Sequence, residues 1–315
     1  MLRLIAQRTL LGLLTLLGVS ALIFAGTEIL PGDVATAILG QSATPETVEA
    51  IRKSLGLHDP AILRYVRWLT AFLAGDLGTS LANGREIATE IAPRLAATFF
   101  LAGYAAFIAV PLSVGFGIVA AIRQNGWFDR LINLVTLTTI SMPEFFIGYI
   151  LIILVAVQLG WLPSLATIND DMGLGERLYT AALPAITLVL VVMAHMLRMT
   201  RAAVISAMSS PYVEMAILKG LRRWRIVVQH ALPNALAPII NVIALNLAYL
   251  VVGVIVVEVV FVYPGMGQLM VDSVSKRDVP VVQACALIFA ATFVGLNMVA
   301  DLLAIVSNPR LRHPR

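Results

Sequence analysis

Few side chains in this sequence are placed to do covalent chemistry. There are three lysines, Lys53, Lys219 and Lys276, and none stands in the G-x-x-x-x-G-K-[ST] pattern that cradles nucleotide phosphates. The four histidines, His58, His195, His230 and His313, fall in different segments, so a metal cluster is not expected. His195 lies in an apolar run, where a hydrogen bond to a neighbouring helix is a simpler role than a proton relay. Cys285 is the single cysteine, which excludes a disulfide framework or thiolate metal site within one chain. Gly265-Met266-Gly267 lacks the strand–helix frame of a dinucleotide fingerprint and reads as a loop. No catalytic residue is expected.

Four acids lie within apolar runs, where an ionised group is costly and normally paired or facing a cavity: Glu28, Glu144, Glu258 and Asp301. Glu28 and Glu258 fall near one end of their runs. Asp301 falls at a depth similar to Arg198, which suggests an ion pair. Glu144 follows Pro143, a residue that bends a helix and frees a carbonyl. Glu144 and Glu258 are the candidate pathway residues, Glu144 for a charged substrate amine. The plainer reading of Glu144 is a headgroup-level residue.

The elements that must position these groups are membrane helices. Of 315 residues, 59% are hydrophobic and 13% charged, about half the roughly 25% charge of a soluble domain. Mean hydropathy is +0.91. About 20 apolar residues span a bilayer as a helix. Six runs qualify: Thr9–Leu30, Ala96–Ile122, Leu131–Leu159, Ala181–Met199, Leu236–Val262 and Val281–Ser307. Arg3 and Arg8 before the first run could mark a signal peptide. The run is longer than a usual h-region and ends in Glu28-Ile29-Leu30-Pro31 without a clear Ala-x-Ala-like site, so it is read as an uncleaved span.

Six spans return both termini to one side. With that side cytoplasmic, the inner segments hold 13 Lys and Arg against Asp129 and Glu214, while the outer segments hold nine against a dozen acids. The positive-inside rule therefore orients the termini inward, and explains the net charge of +4 better than nucleic-acid binding does. The organisation expected is a tail and first span over 1–30, an outer cap over 31–95, a core over 96–310 with a cytoplasmic loop at 200–235, and a tail over 311–315. In the cap, Thr44-Pro45 opens a helix that Gly56 closes. Asp59-Pro60 opens another, with Leu63, Val66, Arg67 and Thr70 at helical spacing, and Gly75-Asp76-Leu77-Gly78 is turn-rich.

The stretch Ser209–Pro238 gathers Glu214, Lys219, Arg222, Arg223 and Arg225 between two apolar runs. Ser210 can cap a short helix with Pro211 in its first position, and Gly220 suits a left-handed residue just past its end. Tyr212, Met215, Ala216 and Lys219 share one face. A second helix carries Trp224, Val227, Val228 and Ala231 on one side and Arg222, Arg225 and Gln229 on the other, until Pro233 stops or kinks it. The bland reading is a basic loop that fixes topology; the sharper one is a docking element for a cytoplasmic partner.

Glu214-x-Ala216-x-x-x-Gly220 and the later His230-x-Leu232-Pro233 resemble the EAA signature of ABC-importer membrane subunits. Nearly the whole chain resembles the first-permease branch of the dipeptide/oligopeptide/nickel transporters. Landmarks include Gly75-Asp76-Leu77-Gly78-x-Ser80, Trp127-x-Asp129-Arg130, Trp161-Leu162-Pro163, Pro264-Gly265-Met266-Gly267, Arg277-Asp278 and Pro309-Arg310. Ile217 and Asn308 depart from the family pattern, which has a basic residue and Asp there. The resemblance implies an all-α permease subunit in a bacterial inner membrane, working by alternating access beside a second permease. It further implies two cytoplasmic ATPase subunits holding ATP and Mg, and a periplasmic binding protein. By the same resemblance Tyr212, Glu214, Met215, Ala216, Lys219, Gly220, Leu221, Arg222 and Pro233 would meet an ATPase, and Gly75, Asp76 and Gly78 would face the binding protein. The rival readings are a carrier or channel driven by an ion gradient, and a membrane scaffold that recruits a soluble enzyme.

Overall fold

In a computed structural model, which describes residues 2–29, 36, 44–54, 56, 58–169 and 171–307, the apolar runs are helices. Among the described residues there is no strand, only an isolated bridge between Thr79 and Glu86. Five helices are long and apolar enough to cross a membrane: Ile5–Ile29, Ile87–Ile122, Ala182–Met208, Trp224–Phe261 and Val279–Leu303. A broken pair, Trp127–Ile140 and Glu144–Gln158, would make a sixth if it crosses as one span. The expected single helix Leu131–Leu159 is thus two segments bent by 106°. Pro143 accounts for the break: it takes an extended conformation (φ −62°, ψ 146°) that ends one helix and starts the next.

The elements are α1 (Leu2–Ile29), α2 (Pro45–Ser54), α3 (Ala61–Leu73), α4 (Ile87–Ile122) and α5 (Trp127–Ile140). They continue with α6 (Glu144–Leu151), running into a π-helix over Ile152–Gln158, α7 (Leu174–Thr180), α8 (Ala182–Met208) and α9 (Pro211–Leu218). After α10 (Arg223–Ile226) and a second π-helix (Val227–Ala231) come α11 (Leu232–Phe261), α12 (Met266–Ser275) and α13 (Val279–Ser307). The core sits where α8 packs between α4 and α11, around Leu101, Leu183, Leu188, Met196, Leu250 and Val254. Gly117 lets α4 and α8 approach closely, since a Cβ there would lie 2.9 Å from the Thr200 side chain and 3.0 Å from the Leu197 carbonyl. Large side chains such as Leu10, Leu13, Phe107 and Val157 stay exposed, as they do where lipid is the solvent.

The segment between the first two apolar helices follows the sequence expectation in part. Thr44 caps α2 through its hydroxyl, 3.3 Å from the Thr47 amide, and Gly56 is left-handed (φ 64°). The packed side of α3 is Tyr65 and Trp68, which meet Phe24 of α1, whereas Leu63 and Val66 are exposed. The Tyr65 and Ser20 hydroxyls share a 2.8 Å hydrogen bond, and Arg64 pairs with Glu28. Asp301 does not pair with Arg198. Its carboxylate lies 2.9 Å from Arg8, because α1 packs along α13, and Arg198 points to the exposed side of α8.

Candidate functional site at two ends of one helix

The charged hairpin follows α8 directly. Ser210 stands at the cap position of α9, but its hydroxyl donates back to the Ala207 carbonyl (2.5 Å) in place of capping. Gly220 is left-handed (φ 72°), as the turn requires of a residue that must reverse the chain so sharply. The expected common face of α9 divides. Val213 and Ala216 are buried with Ile226 and Ala231 against Ala207, Met208 and Leu221, so the hairpin stands on a floor of small and branched residues at the end of α8. Tyr212, Met215, Ile217 and Leu218 face outward, together with Glu214 and Lys219.

On the second arm Trp224 is exposed, and Ile226, Val227 and Ala231 are the buried residues. The i→i+5 bonding of the π-helix rotates this arm away from the 3.6-residue pattern that put Trp224 with Val227. Nor does Pro233 stop the helix. The chain runs on helically from Trp224 to Phe261, and the wider turn of the π-helix over Val227–Ala231, just before the proline, takes up the hydrogen bond that its missing amide cannot make. Arg225 donates to the Gln229 side chain (2.8 Å), and a recess of about 470 Å³ opens between Gly220, Arg222, Trp224 and Val228. Close by, Arg201 of α8 holds Asp129 of α5 through two bonds of 2.5 and 2.7 Å. Asn133 and the Asn125 amide complete the Asp129 carboxylate.

The far end of α11 is a buried polar clamp. Glu258 is wholly buried and accepts from the Thr98 hydroxyl of α4 (2.6 Å) and from the Gly267 (2.7 Å) and Gln268 (3.1 Å) amides. Its carboxylate thus caps α12, where a negative charge meets free amides and the positive end of the helix dipole. Gly265-Met266-Gly267 is therefore the start of a helix and not a loop. A Cβ on Gly265 would fall 2.0 Å from Glu258 Oε1, which explains the glycine. Val262 closes α11 in the left-handed region (φ 53°), a costly state for a β-branched residue. The buried Tyr263 beside it donates to the Ala97 carbonyl (2.8 Å), and burial pushes its hydroxyl pKa up. So placed, Glu258 touches no open space, and its expected part in lining a pathway gives way to holding α4, α11 and α12 together.

Further contacts fasten the turn before α4. Asp278, also buried, accepts from the Ser80 hydroxyl (2.5 Å) and the Leu81 and Ala82 amides (3.1 and 3.2 Å). Gly75 and Gly78 are left-handed, the Asp76 carboxylate accepts from the Gly78 amide (2.9 Å), and all three residues are exposed. The pairings Thr98–Glu258, Ser80–Asp278 and Asp129–Arg201 were not foreseen. Their only sequence signal was a polar residue inside, or at the edge of, an apolar run.

A bundle of apolar helices with a braced, charged hairpin at one end and a buried clamp at the other defines a multi-pass membrane subunit. The family described as the binding-protein-dependent transport system inner membrane component matches residues 113–313, and its N-terminal region matches residues 1–102. The chain belongs to that family: it is an inner-membrane permease of an ATP-driven ABC importer. It is 39% identical to the glutathione transport system permease protein GsiC of Pectobacterium atrosepticum, over 97% of this chain and 98% of that one. The GsiC proteins of Salmonella paratyphi A and Escherichia coli K12 are each 38% identical over the same shares. An ion-gradient carrier is not favoured by these relatives, and a subunit of this kind works with ATPase and substrate-binding partners.

Proposed function

We propose that this chain forms half of the route through an importer of small peptides, glutathione-like compounds among them, and that the hairpin Pro211–Ala231 is where a cytoplasmic ATPase bears on it. The second half would come from a homologous permease. Two ATPases would hold ATP and Mg, and a periplasmic binding protein would meet the exposed turn at Gly75, Asp76 and Gly78. The basic segments would lie inside, by the positive-inside rule. The observation that carries this reading is the build of the hairpin. Tyr212, Met215 and Leu218 project from it while Val213 and Ala216 anchor it to the end of α8. A knob with a firm base can transmit a push, and α8 and α11 carry it into the core. The peptide class is favoured by the similarity to permeases named for glutathione.

The test is Gly220→Asp in the complete complex in liposomes. With the turn disturbed, ATP hydrolysis should persist while glutathione uptake falls roughly tenfold, the scale of a lost coupling free energy. Uptake at the normal rate would remove the hairpin from the mechanism.

A further inference from the structure

We propose that Glu144 and Tyr249 form a subsite for a cationic ammonium group of the transported solute, set at mid-depth in the bundle beside the break in the α5–α6 pair. The inference rests on the importer reading and adds the charge of the group that is recognised.

Glu144 opens α6 directly after Pro143, so its carboxylate hangs at the corner of a 106° bend. It accepts one hydrogen bond, from the Tyr249 hydroxyl (2.8 Å). A Cβ on Gly253 would lie 3.6 Å from both carboxylate oxygens, so the glycine keeps that flank of the group thinly covered. Depth follows from the partner. Between Tyr249 and Phe261, where α11 ends, the helix climbs about 18 Å at 1.5 Å per residue. The hydrocarbon layer is roughly 30 Å thick, so the pair sits near its middle and not at headgroup level.

The other acids that face the bundle differ. Glu258 has three donors and no exposure, and Asp129 is held by Arg201. Among the described residues Glu144 has no ion-pair partner, and it remains partly exposed beside a Tyr249 that is 48% exposed. A carboxylate at this depth does not face lipid without a large cost, so its open side must meet protein or a water-filled route. A carboxylate accepts up to about four hydrogen bonds, and an ammonium supplies three donors to such a group. Anionic groups would be repelled at the same point.

Glu144→Cys in the complete complex separates the outcomes, with glutathione as the transported probe and the unsubstituted complex treated in parallel as the labelling background. Cys285 is wholly buried and contributes little to that background. Uptake should fall about tenfold on losing the charge. A sulfonate-bearing methanethiosulfonate reagent, which restores an anion, should recover most of it. The trimethylammonium reagent should leave uptake lower still. No labelling with or without ATP, or equal effects of the two reagents, would overturn the proposal, the latter pointing to bulk or to a salt bridge with a neighbouring subunit. If the thiol variant fails to assemble, Glu144→Gln is measured for saturation. A half-saturating glutathione concentration raised about tenfold, with ATP turnover kept, supports the subsite; an unchanged one sinks it. An unsubstituted complex with no ATP-driven uptake would take down the importer reading as well, whatever the labels do.

Discussion

At the Phe261 end of α11, Glu258 is enclosed and its carboxylate is met by three hydrogen-bond donors. At the Leu232 end the same helix emerges through a π-helix into a hairpin whose charges and large side chains face outward. The first end spends buried polar groups on rigidity, since a carboxylate in low dielectric is tolerable only when its partners are complete. The second rests on Val213, Ala216, Ile226 and Ala231, a floor with no buried charge. One end holds its geometry by itself, and the other is shaped to receive something. Damage at the clamp should therefore unfold the bundle, whereas damage at the hairpin should leave it folded and disconnect it.

The largest effect is expected from Glu258→Leu. Removing the carboxylate strands the Thr98 hydroxyl and two amides, at about 1–3 kcal/mol for each group left unsatisfied. The variant should lose its folded population on mild heating in detergent, measured by the fraction eluting as a single species. A variant as stable as the parent would erase the distinction between the two ends.

Asp129→Asn should cost less, about 2 kcal/mol, because the partner Arg201 keeps a fifth of its side chain exposed and water can compensate it. Pairing Asp129→Leu with Arg201→Met should recover much of the loss, since removing both charges leaves neither one buried alone. Failure to recover would mean that the pair sets a geometry that packing cannot replace.

The smallest effect belongs to Arg8 and Asp301, whose side chains are 54% and 38% exposed. Arg8→Ala should change stability by less than about 1 kcal/mol. A defect from Asp301→Arg should be relieved by Arg8→Asp and not by Arg198→Asp.

Much of this architecture could be read from the amino acids alone, where the signal is local. The apolar runs gave the spans, and Thr44, Gly56 and Gly220 stand where helices begin and end. Pro143 announced a bend but not its size, because the angle depends on what α6 packs against. Pairings between distant segments were hidden. Thr98 finds Glu258, and Ser80 finds Asp278, only once α4, α11 and α13 are assembled. Position along the apolar runs suggests Asp301 with Arg198, but azimuth decides the partner: Arg198 lies on the exposed side of α8, and Arg8 of α1 meets Asp301. At Trp224 and Pro233 the 3.6-residue rule failed because the chain takes a π-helix, which no residue type there signals.

Gly117 has a consequence for how such a bundle can rearrange. With the Thr200 side chain and the Leu197 carbonyl where a methyl would otherwise sit, α4 and α8 have no compressible layer between them at that level. Shear along that seam would drive backbone into side chain, so the two helices turn as one rigid blade. The displacement that opens and closes a passage must then be absorbed elsewhere, and the broken α5–α6 pair, already jointed at Pro143, is where the bundle has give.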